Sequence, residues 1–229
     1  MPPSPRPWSR RNLRRLAAGR VPGQLIIQYT TRCNARCAQC GMRVDAPGPR
    51  ATMDDDDVRR LIDAAAAKGV TALSFTGGEP LLYTARLAPL IRHAVDAGIP
   101  YVRTGTNGFV FMGSDKPSFE GKIHRLAETL ADSGLMTLWI SVDSAVAEVH
   151  EGNRGLPGVI AGIEKGLPIF DQYGLYPSAN LGINRFVDGV EGAPAMPAPG
   201  QPFDVSDHYR RFRAGFGRFY RFVESLGFT

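Results

Sequence analysis

Residues 52–80 read TMDDDDVRRLIDAAAAKGVTALSFTGGEP, and this stretch holds a helix, a strand and a turn in succession. Thr52 and the four aspartates at 54–57 put capping oxygens and negative charge where free amides and the helix dipole favour them. Val58, Leu61, Ile62 and Ala65 then share one helical face, and Gly69 stops the helix. The apolar run at 70–76 reads as a strand. It ends on Gly77-Gly78-Glu79-Pro80, a turn in which Pro80 fixes φ. Further strands are expected at Gln24–Thr30, 100–104, 136–142 and 177–183. Helices are expected at 85–97, around Ile123, Leu126 and Leu130, and around Val159, Ile160, Ile163 and Leu167, with Pro168 kinking or ending the last. Strict alternation of strand and helix implies parallel strands joined by right-handed crossovers, in a partial barrel or an open doubly wound sheet. Functional groups then collect at the C-terminal ends of the strands.

The polar groups follow that rule. After the first strand come the only cysteines of the chain, in Cys33-Asn34-Ala35-Arg36-Cys37-Ala38-Gln39-Cys40. Thr106-Asn107-Gly108 follows the third strand, Ser141 and Asp143 end the fourth, and Asn180, Asn184 and Arg185 lie in and after the fifth. Three thiolates at Cx3Cx2C spacing can hold three corners of an iron–sulfur cluster and leave one iron open. The rival is a zinc-stabilised interaction module, which needs a fourth ligand, yet His93, His124, His150 and His208 all lie far along the chain. An odd cysteine count argues against a disulfide framework.

The cysteine triad followed by the GGEP turn resembles the radical S-adenosylmethionine (radical SAM) superfamily, here of the single-cluster type. The resemblance covers residues 23–188 and implies a partial (β/α)6, TIM-like barrel. It implies that Cys33, Cys37 and Cys40 hold a [4Fe–4S] cluster whose fourth iron binds the amino and carboxylate groups of S-adenosylmethionine. Reductive cleavage of the sulfonium then gives methionine and a 5′-deoxyadenosyl radical that takes hydrogen from a substrate. By the same resemblance Gly77, Gly78, Glu79 and Pro80 approach the cofactor, with Glu79 accepting from the methionine amino group. Ser141 and Asp143 reach the ribose hydroxyls or the carboxylate. Asn107, Arg154 of the His150…Arg154-Gly155 stretch, Asn180 and Ile183 complete the cofactor-facing set, with a core position the simpler reading of Ile183. Asn34 and Arg36 are expected to donate toward the cluster. Many relatives carry an aromatic residue at the position of Gln39. The reductant implied is a flavodoxin or ferredoxin, and the substrate is a cofactor- or lipid-type small molecule or a peptide. A truncated or non-catalytic iron–sulfur relative is the alternative within the family.

The 229-residue chain suits one large α/β domain, with 43% hydrophobic and 21% charged residues. No transmembrane run or secretory leader is read, and cysteines confined to one metal motif suit a reducing compartment, so a cytoplasmic location is expected. The net charge is +5. Arg6, Arg10, Arg11, Arg14, Arg15 and Arg20 precede the first acidic residue, Asp45. Residues 1–22 read as a basic extension or helix with Trp8, Leu13 and Leu16 packing inward, and a nucleic-acid partner is not expected. Residues 189–229 read as a Gly/Pro-rich loop and an amphipathic helix, taken as the fifth barrel helix. The expectation is a chain that lacks the sixth strand and leaves strand five as an edge.

Overall fold

The computed structural model describes residues 23–44, 49–191, 193, 198 and 200–228, so the arginine-rich head lies outside the described residues. Five strands, β1 (Gln24–Thr30), β2 (Ala72–Gly77), β3 (Tyr101–Thr106), β4 (Thr137–Val142) and β5 (Ser178–Leu181), form one sheet in the order β1-β2-β3-β4-β5. Every neighbouring pair is parallel. Sequential order without reversal excludes the doubly wound alternative and leaves the curved, barrel-type sheet. The helices are α1 (Gly41–Val44), α2 (Asp55–Ala67), α3 (Thr84–Asp96), α4 (Phe119–Asp132), α5 (Ala147–Arg154), α6 (Val159–Gln172) and α7 (Val205–Ser225).

The aspartate run does what its chemistry requires. Asp54 caps α2 by accepting from the amides of Asp56 and Asp57 at 2.9 and 3.3 Å. Asp55 reaches outward, accepting from the Tyr29 hydroxyl at 3.0 Å and from Arg86 Nη2 at 2.8 Å. The first turn of α2 is thereby joined to β1 and to α3.

Alternation along the strands divides the sheet into two chemically different faces. Ile27, Tyr29, Leu73, Phe75, Val102, Leu138, Ile140 and Val142 are buried in the core with Val58, Ile62, Leu90, Ile91, Ile123, Ile163 and Phe170. The opposite, concave face carries Gln24, Ile26, Gln28, Ser74, Arg103, Trp139, Ser141 and Asn180. It is only partly covered: Ile26 is 63% exposed.

Three expectations need revision. Pro168 neither ends nor starts a helix; α6 continues to Gln172 with Pro168 inside it, because one proline removes a single amide donor from a helix otherwise held by a buried apolar face. An additional helix, α5, stands between β4 and α6. Its inward residues are His150 and Arg154, so no apolar periodicity announces it. Finally, Ile183 is 61% exposed, which removes the core reading. α7 does form over the aromatic strip and buries Gly215, Phe219 and Val223, while Tyr209 and Tyr220 stay exposed.

Close packing of α6 rests on Gly162, where a Cβ would stand 1.7 Å from the Phe111 carbonyl oxygen. Gly162→Ala is expected to lower stability by about 1–3 kcal/mol through overpacking, although alanine is the better helix former by about 1 kcal/mol. Urea unfolding checks this; an unchanged or raised midpoint contradicts it.

Candidate active site

Four loops at the C-terminal ends of β1 to β4 are bonded to one another, and the cysteine loop is at their centre. The turn after β2 is joined to it through backbone. Gly78 N–H donates to the Thr30 carbonyl at 2.7 Å, and Glu79 N–H donates to the Arg32 carbonyl at 2.8 Å. Both glycines are needed for this approach. A Cβ on Gly77, whose φ is +135°, would stand 2.1 Å from Thr30 O, and one on Gly78 would stand 2.0 Å from Arg32 O. What these glycines approach in the structure is therefore the cysteine loop itself.

Glu79 is fully buried. Its carboxylate accepts from the Asn107 amide at 2.6 Å and the Leu81 amide at 3.1 Å. Burial pushes its carboxyl up to about 7, against the opposing pull of those amides, the Thr106 hydroxyl and Arg154. The side chain thus faces inward and fixes the loop after β3. That loop in turn reaches the cysteines: Asn107 Nδ2 donates to Asn34 Oδ1 at 2.9 Å and toward Cys33 Sγ at 3.6 Å. Asn107 Oδ1 accepts from the Phe109 amide at 2.9 Å, so this residue both shapes the turn and touches the site. The Ala35 amide also points at Cys33 Sγ, at 3.4 Å. The Ala35 amide and the Asn107 carboxamide thus both point at Cys33, and the Asn34 carboxamide oxygen accepts from Asn107.

The fourth contribution comes from β4 and α5. Asp143 is buried, and Arg154 grips its two oxygens in a bidentate pair at 2.8 and 2.7 Å. Asn153 Nδ2 adds a bond at 3.0 Å and Gln39 Nε2 another at 3.2 Å. Gln39 Oε1 accepts from Asn153 at 2.9 Å, and the Arg36 amide donates to the Arg154 carbonyl at 2.7 Å. Arg154, Asn153 and Gln39 together occupy the Asp143 carboxylate, and these bonds clamp the cysteine loop onto β4. Gln39 is one of the clamped groups. Gly182 leaves room for Asp143: a Cβ there would stand 2.1 Å from Oδ1. His150 Nδ1 accepts from the Asp143 amide at 3.1 Å. Burial and then the Arg154 charge hold its protonation well below the usual histidine range, so the proton sits on Nε2, which has no partner among the described residues.

Cys33 is exposed and Cys37 and Cys40 are half-buried. Burial pushes the Cys37 thiol up, partly offset by the Arg154 guanidinium; ligation to a metal would hold it as thiolate. Three thiols on one loop with an amide and a carboxamide beside a sulfur suit a multi-iron cluster. Ser141 is half-buried and Asn180 exposed on the concave face, on paired positions of β4 and β5. Ile183 and Arg185 are exposed beyond β5, and Asn184 forms its turn by accepting from Phe186 at 2.8 Å.

The radical SAM superfamily pattern matches residues 27–165, more than half of the chain. The chain belongs to the radical SAM superfamily. Members bind a [4Fe–4S] cluster and S-adenosylmethionine and are enzymes. Among curated relatives, the chain is 29% identical over 153 residues to the AdoMet-dependent heme synthase of Methanosarcina barkeri (strain Fusaro / DSM 804), covering 65% of this chain and 40% of that protein. It is 34% identical over 171 residues to the GTP 3′,8-cyclase of Synechococcus sp. (strain CC9902), covering 72% of this chain and 45% of the relative. The chain therefore spans less than half the length of each. HydG, a maturase of the [FeFe]-hydrogenase, shares the fold with a TM-score of 0.53 at 14% identity, over 89% of this chain and 49% of that one. No helix among the described residues is long and apolar enough to cross a membrane.

The packing generates two expectations. Gly78→Ala forces the cysteine loop away from the β2 turn, and iron content after anaerobic reconstitution should fall severalfold; full iron loading contradicts the role given to Gly78. Glu79 binds its proton more tightly when folded, so its favourable contribution is complete below about pH 4.5 and is lost as pH rises to about 7, on the order of 3 kcal/mol in all. Glu79→Gln should flatten that part of the stability–pH curve, measured by urea unfolding. Identical slopes for both proteins over pH 4.5–7 contradict the assignment.

Proposed function

We propose that this chain is the catalytic core of a single-cluster radical SAM enzyme, residues 23–188 forming that core, which cleaves S-adenosylmethionine reductively and abstracts hydrogen from a small-molecule substrate. The observation that carries the reading is the bonded cysteine loop. The β2 turn, Asn107 and the Asp143–Arg154 pair all brace it, and its thiols remain at the open rim. Cys33, Cys37 and Cys40 would hold the cluster. When bound, it supplies one electron to the sulfonium, so that the C5′–S bond breaks to methionine and a 5′-deoxyadenosyl radical, which becomes 5′-deoxyadenosine by taking a substrate hydrogen atom.

The chain's own residues do the rest. The Ala35 amide and Asn107 carboxamide donate to Cys33 and tune the cluster by stabilising thiolate charge. The Gly77–Gly78 backbone and the concave-face residues Ser141 and Asn180 are placed to contact the cofactor. Glu79, Asp143 and Arg154 act one step back, by fixing the loops that hold it. Small-molecule chemistry is favoured over peptide because the curated relatives are named for heme and for GTP. A cytoplasmic setting and an acidic flavodoxin or ferredoxin as electron donor accompany this reading.

The test is anaerobic reconstitution followed by dithionite and S-adenosylmethionine, with chromatography for 5′-deoxyadenosine. Product is expected, and Cys37→Ala should abolish it. Brown protein that makes none favours the non-catalytic relative, and a colourless protein with one zinc per chain overturns the assignment.

A further inference from the structure

The concave face holds an arginine for which the cluster site has no use. Arg103, on β3, is half-buried. Its Nε donates to Ser74 Oγ at 2.7 Å, and Nη2 points at Gln24 Oε1 at 3.4 Å. Gln24 Nε2 also donates to Ser74 Oγ. Ser74 is itself buried, so the stronger of the two hydrogen bonds is made to a fixed group, while Gln24 is exposed. Its carbon lies 5.4 Å from the Trp139 ring centre and 5.8 Å from that of Tyr101. Trp139 occupies space that only Gly105 leaves: a Cβ there would stand 1.9 Å from the indole Nε1. The cation, its neutral hydrogen-bond partners and its aromatic walls form a built arrangement across β1, β2, β3 and β4.

Among the described residues no carboxylate forms an ion pair with Arg103, whereas Arg86, Arg154 and Arg218 all have one. A guanidinium stays charged at all physiological pH, and a partly desolvated charge gains most from a bidentate anion. The aromatic faces soften that cost without neutralising the charge.

Resting on the radical SAM reading, we infer that Arg103, walled by Trp139 and Tyr101, binds a carboxylate or phosphate group of the substrate on the concave face. Four residue steps, along β3 and just past its end, separate Arg103 from Asn107 at the rim, about 13 Å. The substrate is then an elongated organic anion, charged end at Arg103 and reacting carbon below the rim.

Trp139 reports on this site, since Trp8 is the only other tryptophan and Trp8→Phe leaves it alone. At low ionic strength, quenching by iodide is compared with quenching by neutral acrylamide, with pyrophosphate or succinate as competitor. Arg103→Met should lower the iodide-to-acrylamide ratio about three- to fourfold, the enrichment that a unit charge some 5 Å away gives in near-aqueous dielectric. Arg103→Lys should keep the iodide enrichment and lose competition, because the fork is gone. Protection of the Trp8→Phe protein by pyrophosphate points to a phosphate group and by succinate to a carboxylate. Protection by neither overturns the inference, even if the Met variant does not fold, and so does an unchanged ratio in a folded Met variant. The readings are taken without S-adenosylmethionine. A protein that makes 5′-deoxyadenosine but ignores anions loses this site alone; one that binds anions but makes none keeps the site and loses the radical reading.

Discussion

Two backbone hydrogen bonds, from the Gly78 and Glu79 amides to the Thr30 and Arg32 carbonyls, bring the turn after β2 against the loop after β1, and the rest of the site is arranged around that junction. Backbone can approach backbone this closely only where no Cβ intervenes, which is why two glycines stand together. Once the turn is seated, Glu79 is buried beneath it and its carboxylate has only amides and a hydroxyl to accept from. Those amides belong partly to the loop after β3, so one side chain fixes a second loop. Asn107 on that loop then returns to the cysteines.

The other side of the cysteine loop is held by charge. Asp143 and Arg154 form a buried bidentate pair, costly to desolvate and therefore dependent on excellent geometry. Gln39 and Asn153 take up the remaining acceptor capacity, and the Arg36 amide is bound to the carbonyl of Arg154. A loop with three metal-binding thiols gains from such bracing. Thiolates that must meet one cluster at fixed positions lose less entropy when their backbone is already placed.

The fold was legible in the sequence because its signals are local. Apolar spacing, an aspartate cap and stop glycines marked α2, and the alternation of such units marked a parallel sheet whose rim collects the polar residues. The cysteine spacing and GGEP turn pointed to the family for the same reason. What escaped was non-local or polar. Gln39 and Asp143 are far apart in the chain, so no window of sequence shows their bond. α5 turns a histidine and an arginine inward, and a polar inner face leaves no apolar stripe to read. Asn153 gave no signal at all. The expectation that Pro168 kinks or ends its helix rests on a local rule, whereas in the fold a buried helical face outweighs one missing hydrogen bond. The place of Arg103 beside Ser74 and near Trp139 is set by strand register, which no single stretch of sequence displays.

The two faces of the sheet make a single physical statement. The helix side is filled by branched aliphatic and aromatic residues, whereas the concave side mixes serine, glutamine, arginine and tryptophan and stays partly open. Arg103 stands on that open side, its guanidinium met by Ser74 and by the Trp139 and Tyr101 rings. The measurement closest to the central claim is electron paramagnetic resonance of the dithionite-reduced, reconstituted protein, recorded with and without S-adenosylmethionine. The account predicts a reduced [4Fe–4S] signal whose g-values shift when S-adenosylmethionine is added, because one iron is open to it. A cluster signal indifferent to S-adenosylmethionine, or no cluster signal, would contradict it.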